Sequence, residues 1–407
     1  MDANRKLTQL FKIYWPDNGG GIANVMESIA DGFLCCRQEI IVCQDSRHKK
    51  SADEIYHGVA VRRSRQLFTV ASTPVSLRFL LDVKKRTRDS DFVICHFPYP
   101  MADLAILLGW YRGKLIVWWH CGIEKYKRLM PFYRPLVRHT LKKADRIFVS
   151  SKGNLVHCEM LRPFREKCTV IPFSVSDGYL QRGRKYVLNQ QEAAKPVSEK
   201  QDTLLKKKNE IGILFIGRLV WYKGCEVLIR AFAKMKEKNR CRLVLVGGGP
   251  LEQELKALAS YLAPGRIEFA GMVSEEEKLQ RLEACDFLVL PSVSKAEAFG
   301  LVQIEAMAFG KPVINTKLPS GVPYVSVDGV TGKTVRAGHV RELAEAMDLL
   351  AQDDAIRQEY GRNAWERVNR EYAREVMVAR YEKVFGELLG ESRQKKSRME
   401  GCRGQVR

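Results

Sequence analysis

Apolar residues come in short bursts along the first half of the chain, and stretches of helical spacing lie between them. "LFKIYW", "EIIVC", "DFVICHF", "KLIVWWH", "DRIFVS" and "CTVIPF" are rich in Val, Ile and aromatic residues, the pattern of buried parallel strands. Between them, "IANVMESIADGFLCC" and "YRPLVRHTLKKA" set apolar residues along one helical face. The second half repeats the rhythm with "IGILFIG", "CRLVLVGGG", "RIEFAG", "DFLVLPS" and "KPVINT". Strands alternating with helices in both halves predict two doubly wound α/β domains, residues 1–180 and 211–370. The intervening residues 181–210 are polar and basic and read as a linker or surface insertion. Residues 371–390 read as a C-terminal helix, and residues 391–407 as a disordered basic tail.

Composition agrees with this division. A chain of 407 residues exceeds one ordinary core, and 45% hydrophobic with 28% charged residues is a soluble globular balance. No apolar run approaches the roughly 20 residues needed to span a bilayer. The start "MDANRKLTQLFKIYWP" has no apolar h-region and predicts no signal peptide. The 11 cysteines are scattered without a CxxC, so a reduced, cytoplasmic setting without zinc is expected.

Charge separates the halves. Residues 211–390 hold 25 Lys and Arg against 24 Asp and Glu, whereas residues 1–210 hold 37 against 21. Solubility alone explains a net charge of +21, but not its confinement to one half. The basic half is expected to face a polyanion: nucleic acid, an anionic membrane or a phosphate-bearing substrate. Nucleic-acid binding would call for aromatics interleaved with Lys and Arg on an exposed sheet, and no such block is present.

The candidate chemistry lies at predicted strand ends. "GGGIAN" (19–24) follows a strand and opens a helix, where amides can cradle a phosphate. "TGKT" (331–334) imitates a P-loop, but Val327 occupies the place of its first glycine. In "FIGRLVWYKG" (215–224), Arg218 and Lys223 leave a strand together and suit a diphosphate. In "KAEAFGLVQIEAMAFG" (295–310), Glu297 lies in a loop and Glu305 inside the following helix. The free amides of Gly300 and Leu301 open that helix at its positive end. Carboxylates suit sugar and ribose hydroxyls, because each accepts two hydrogen bonds from a diol.

These segments resemble the retaining glycosyltransferases of family 4, with their E-x7-E motif, over about residues 8–390. The resemblance implies the α/β GT-B fold, two Rossmann-like domains facing a central cleft. The first would take the acceptor, the second the nucleotide sugar, and the C-terminal helix would cross back to the first. It implies that Glu305 binds the ribose and that Glu297 contacts the donor sugar. Arg218, Lys223 and the turn at Phe299, Gly300 and Leu301 would hold the diphosphate. "YWPDNGGGI" is similar to the family's glycine-rich loop, which implies Gly20 and Gly21 near donor phosphate and acceptor. "HFPYPMADLA" and "WWHCGIEKYK" are similar to its acceptor-side strand ends, with His120 matching the active-site histidine. "SGVPYVSVDGVTGKTV" resembles its second-domain signature.

The resemblance also implies the reaction: a hexose moves from a nucleotide-diphosphate sugar to a hydroxyl, with retention and without a metal ion. The triplet "DSD" (89–91) imitates a metal-binding motif but precedes a strand, and reads as chance. Similarity leans toward GDP-mannose and surface-polysaccharide assembly such as that of lipopolysaccharide. A polyprenyl-diphosphate-linked saccharide acceptor would account for the basic first half, with peripheral attachment to the inner face of the cytoplasmic membrane through "KKRTR" (84–88). The pattern departs from the family at Ala23, Gly122 and Tyr324. These departures bear on the acceptor and leave open a non-catalytic homologue that only binds nucleotide sugar.

Overall fold

The computed structural model describes residues 3–17, 21–44, 50–70, 73–120, 130–192, 205 and 210–403. The chain divides into two compact units, each built on its own sheet. The first comprises Met1–Ser150, Cys158–Pro172 and Arg374–Arg407, the second Ser151–His157 and Phe173–Ala373.

The first unit contains strands β1 (Lys6–Leu10), β2 (Arg37–Cys43), β3 (Ala52–Tyr56), β4 (Val59–Ser64), β5 (Phe68–Val70), β6 (Thr73–Val75), β7 (Phe92–Phe97), β8 (Lys114–Trp119), β9 (Arg146–Val149) and β10 (Cys168–Val170). Its helices include α1 (Gly21–Gly32), α2 (Leu77–Arg86), α3 (Pro100–Leu107) and α4 (Met130–Lys143). Eight strands form one sheet in the order β10-β9-β8-β7-β1-β2-β4-β3, and β5 pairs with β6 in a separate hairpin. Only β3 runs antiparallel to its neighbour in the large sheet. Every residue of β7 is buried, which explains its unbroken apolar run in the middle of a covered sheet. Strand β4, "VAVRRS", has no such run and escapes periodicity. Its Arg62 and Arg63 are nonetheless buried. Arg62 pairs with Asp82 and Asp53, each at 2.8 Å, and Arg63 with Glu54 and Asp17, each at 2.6 Å.

The second unit has six strands, all parallel: β11 (Ile211–Ile216), β12 (Cys241–Val246), β13 (Ile267–Gly271), β14 (Phe287–Val289), β15 (Val313–Lys317) and β16 (Gly332–Arg336). Their order is β13-β12-β11-β14-β15-β16. The chain therefore winds outward one way, returns, and winds out the other way, with the reversal between β11 and β14. Such a reversal opens a crevice beyond the strands' carboxyl ends. In the first unit the corresponding reversal lies between β1 and β7. The false P-loop is edge strand β16, where a Cβ on Gly332 would meet the Val313 carbonyl at 1.9 Å.

Helices α5 (Asp177–Glu192), α6 (Cys225–Lys234), α7 (Glu275–Ala284) and α8 (Leu301–Ala308) belong to the second unit, and α9 (Arg374–Arg403) to the first. Helix α5 corrects the expected linker at 181–210, because residues 181–192 are helical. A Cβ on Gly183 would meet the Ala308 carbonyl at 2.1 Å, and Arg182 pairs with Glu283 at 2.6 Å and Glu276 at 2.7 Å. The helix docks through a glycine, ion pairs and two tyrosines set against Phe309 rather than through an aliphatic face, so its sequence looks like a linker. The remaining expected linker residues lie outside the described ones, except Leu205, which is buried, and Glu210.

At the C-terminus, α9 runs on through residues 391–403, which were expected to be disordered. Helix extension adds a hydrogen bond for each residue fixed, and "ESRQKKSRME" has no Gly or Pro to stop it. Near its start α9 completes the first unit's core. The Trp118 indole donates to the Tyr381 hydroxyl at 2.6 Å, and Phe385 packs on Phe92 and Phe33.

Candidate functional site

In the second unit the two loops at the sheet reversal are stitched together. After β11, the chain passes the exposed Arg218 and one 3-10 turn, Trp221–Lys223, that ends on Gly224 with φ 70°. Gly224 is required here, since a Cβ would meet the Pro291 carbonyl beyond β14 at 2.1 Å. The amide of Val293 donates to the Tyr222 carbonyl at 2.8 Å. The Lys223 ammonium then lies 2.5 Å from Glu297 Oε2, and the Ser292 hydroxyl donates to the same oxygen at 3.2 Å. Burial works to lower the Lys223 pKa, but the Glu297 charge and hydrogen bond outweigh it and hold it above the usual lysine value. The ammonium therefore stays charged. Arg218 has no ion pair among the described residues.

The turn into α8 is fixed by Gly300, whose φ is 76° and whose Cβ would strike Leu290 at 2.5 Å. No side chain caps α8, so the first amides of the helix carry no capping hydrogen bond. The Phe299 ring is buried against Phe173 and Tyr372. Only its backbone is left to offer a ligand. Glu305 is held by a second lysine, Lys278 of α7, at 2.9 Å. Glu297 and Glu305 are thus met by different cations from different elements. The Gln303 side chain donates to the Phe299 carbonyl at 2.8 Å and accepts from Asn315 at 2.9 Å, a buried network that anchors the helix start.

In the first unit Gly21 opens α1 and is exposed; Gly20 lies outside the described residues, as does Gly122. Ala23 is buried on α1. His120 follows β8 and is also buried, stacked on Trp118 with ring centroids 4.5 Å apart. It belongs to a relay. Gln9 donates through its amide nitrogen to the Met26 carbonyl at 3.1 Å, and its oxygen lies 2.9 Å from His96 Nε2. His96 Nδ1 lies 2.8 Å from His120 Nε2. Since the Gln9 oxygen can only accept, His96 donates from Nε2 and accepts at Nδ1, and His120 must donate from Nε2. His120 Nδ1 then carries a lone pair. Both rings are neutral: burial pulls His96 down to about 3, and burial with the neighbouring His96 pulls His120 well below its ordinary value.

Sequence reasoning missed Gln9, His96, Lys278, Gln303 and Asn315. The signal available for the first two was a buried polar residue interrupting each of the neighbouring central strands β1 and β7. The "DSD" carboxylates are occupied elsewhere: Asp91 pairs with Arg5 at 2.6 Å, and Asp89 with Lys6 at 2.8 Å and Arg37. Among the described residues, no three His, Cys, Asp or Glu side chains cluster as a metal site. Also among them, no helix is long and apolar enough to cross a membrane.

Comparison with known proteins covers both units. The family profile "Glycosyltransferase Family 4" matches residues 19–177, and "Glycosyl transferases group 1" matches residues 197–367. The O-antigen chain mannosyltransferase C of Escherichia coli is 30% identical over 386 residues, covering 94% of this chain and 99% of that one. The D-rhamnosyltransferase WbpZ of Pseudomonas aeruginosa is 28% identical over 362 residues, 88% of this chain and 90% of that one. Among solved structures, Anabaena HepE in complex with UDP superposes with a TM-score of 0.72 at 18% identity, covering 94% of this chain and 100% of that one. WaaG, a glycosyltransferase involved in lipopolysaccharide biosynthesis, gives 0.63 at 14% identity, covering 94% and 100%. These likenesses establish the GT-B fold.

Proposed function

This chain belongs to the glycosyltransferases of group 1 and family 4, and we propose that it moves a hexose from a nucleotide-diphosphate sugar to a hydroxyl of a lipid-linked saccharide, with retention, in surface-polysaccharide assembly. The pathway reading is supported by the near full-length likeness to O-antigen and D-rhamnosyl enzymes. The mannosyltransferase relative makes GDP-mannose the first donor to test.

One observation carries the donor half: a charged lysine, an exposed arginine and an uncapped helix start beyond adjacent strands of a sheet reversal. A diphosphate is met there by Lys223, by the Arg218 fork and by the amides of Gly300 and Leu301. Lys223 exchanges part of its bond to Glu297 for the diphosphate, which frees a carboxylate oxygen for the sugar. Glu305 takes the ribose hydroxyls in place of Lys278. The acceptor hydroxyl attacks the anomeric carbon on the face the diphosphate leaves, and a diphosphate oxygen takes its proton. Protein cations thereby carry the charge stabilisation that a metal ion supplies in other enzymes. His120, neutral and with Nδ1 as an acceptor, positions a sugar or acceptor hydroxyl. The basic first half favours a cytoplasmic enzyme peripheral to an anionic membrane.

The test is a thermal-shift titration with UDP, GDP, ADP and dTDP and their common sugars, repeated on Arg218→Ala and Glu305→Ala. Stabilisation by one nucleotide, lost in both variants, supports the site and names the base. A shift that survives in both variants moves the donor elsewhere. No shift with any nucleotide favours a homologue that has lost donor binding.

A further inference from the structure

We infer that the β5/β6 hairpin and the outward face of α2 form a docking surface for an anionic lipid bilayer. The inference deepens the membrane-peripheral reading above and rests on it. Five large apolar side chains within residues 67–81 are more than half exposed: Leu67 at 55%, Phe68 at 56%, Val70 at 52%, Leu77 at 61% and Leu81 at 51%. Leu77 and Leu81 are four residues apart and share one face of α2. Such a concentration on two adjoining elements points to an interaction site rather than scattered exposure.

The surface is held in place. Ser76 caps α2 by accepting from the Phe79 amide at 2.9 Å, and donates to the Arg65 carbonyl at the hairpin's foot at 2.6 Å. The Leu67 amide donates to the Val75 carbonyl at 2.8 Å, and the buried Tyr99 hydroxyl donates to the Pro74 carbonyl at 3.4 Å. A two-stranded hairpin is marginal alone; here both ends are tied to the core. Leu67 and Arg78 line the same cavity of about 450 Å³ with Ser51, Arg62 and Arg65, so the hairpin's foot and the start of α2 lie side by side.

Charge selects the partner. Residues 65–88 contain six cations and one acid, Asp82, which is buried. Arg65, Arg78, Lys85 and Arg88 are exposed around the apolar residues. Apolar side chains ringed by cations suit the headgroup boundary of an anionic leaflet. Two residues of the expected "KKRTR" anchor, Lys85 and Arg88, belong to this ring, and the other three are engaged otherwise. Arg86 is tied to Glu39 at 2.6 Å and Asp53 at 2.5 Å, Lys84 lies over the Trp110 ring at 4.6 Å, and Thr87 is buried.

The test is co-sedimentation of the full chain with phosphatidylcholine vesicles, with and without phosphatidylglycerol. Wild type should pellet with the anionic vesicles. Phe68→Ser with Leu77→Ser should lower partitioning about tenfold or more. Arg65→Gln with Lys85→Gln should lower it about tenfold, less at high salt. Arg86→Gln should lower it least, because that charge is already paired. Unchanged melting temperatures in these surface variants would show that they fold. If wild type binds and both double variants bind equally well, the surface is overturned while the membrane reading stands. If wild type binds no vesicles, both fall; a Phe68→Ser, Leu77→Ser chain that then elutes smaller on sizing assigns the patch to a second copy. The nucleotide thermal shift is read separately, so its absence would count against the donor site alone.

Discussion

The two units reverse their sheets in the same way yet hold opposite electrostatics at the reversal. In the first unit the strand ends carry Gln9, His96 and His120, all buried, with both imidazoles kept neutral by desolvation. In the second they carry Lys223 and Glu297, also largely enclosed, with the Lys223 ammonium kept charged by its bond to Glu297. Burial alone therefore does not set the character of a strand-end site. The partner does: a neutral relay passes hydrogen bonds along and orients a lone pair, whereas an ion pair stores charge that a ligand can redirect. The first suits sugar hydroxyls, the second a diphosphate.

The sharpest way to break this comparison is to remove one charge. Lys223→Ala leaves Glu297 enclosed without its partner and should cost about 3 kcal/mol of stability in urea unfolding, together with the nucleotide-dependent thermal shift. A cost no greater than that of the exposed Arg218→Ala would mean that the pair is not a stored charge.

Next in size is the relay. His96→Leu should lower kcat/KM by up to about a hundredfold through misplacement of His120, and leave the nucleotide thermal shift unchanged. Nitrogen-15 NMR of the imidazoles reads the tautomer directly. Loss of the Nε2–H signature of His120 in this variant supports the relay, and its persistence removes it.

The pH dependence separates the units further. Both histidines have folded pKa values below the unfolded one, so the folded state binds fewer protons. Their contribution is complete above about pH 6.5 and is lost as pH falls toward the folded value, at up to about 1.4 kcal/mol per pH unit for each histidine. Asp103 on α3 has the opposite sign. Burial raises it to about 6, against the Tyr133 hydrogen bond, so its cost is present above pH 6 and shrinks as pH falls toward 4. Asp103→Asn should therefore steepen the acid limb of a stability profile, and His96→Leu should flatten it. The smallest effect is expected at Lys278→Ala. It should change stability by less than about 1 kcal/mol and tighten nucleotide binding slightly by releasing Glu305, which calorimetry can detect.

Much of the architecture was legible from local pattern. Buried parallel strands need unbroken apolar runs, so β2, β7, β8, β11 and β12 stand out in the sequence, and the loops that follow β11 and β14 could be named with their glycines, cations and carboxylates. Strand β4 was not legible, because two of its buried residues are arginines whose acids lie elsewhere in the chain, and α5 was not, because a glycine, tyrosines and ion pairs replace an aliphatic face. The pairing of cations with carboxylates also needed the fold. Lys223 could have served Glu297 or Glu305 by spacing; only the packing of Gly224 against Pro291 brings it to Glu297 and leaves Glu305 to Lys278. Gln9 and His96 meet across 87 residues because β1 and β7 are neighbours in the sheet. Periodicity records which residues avoid water. Which buried polar groups satisfy one another depends on distances between strands, and those exist only once the sheet has formed.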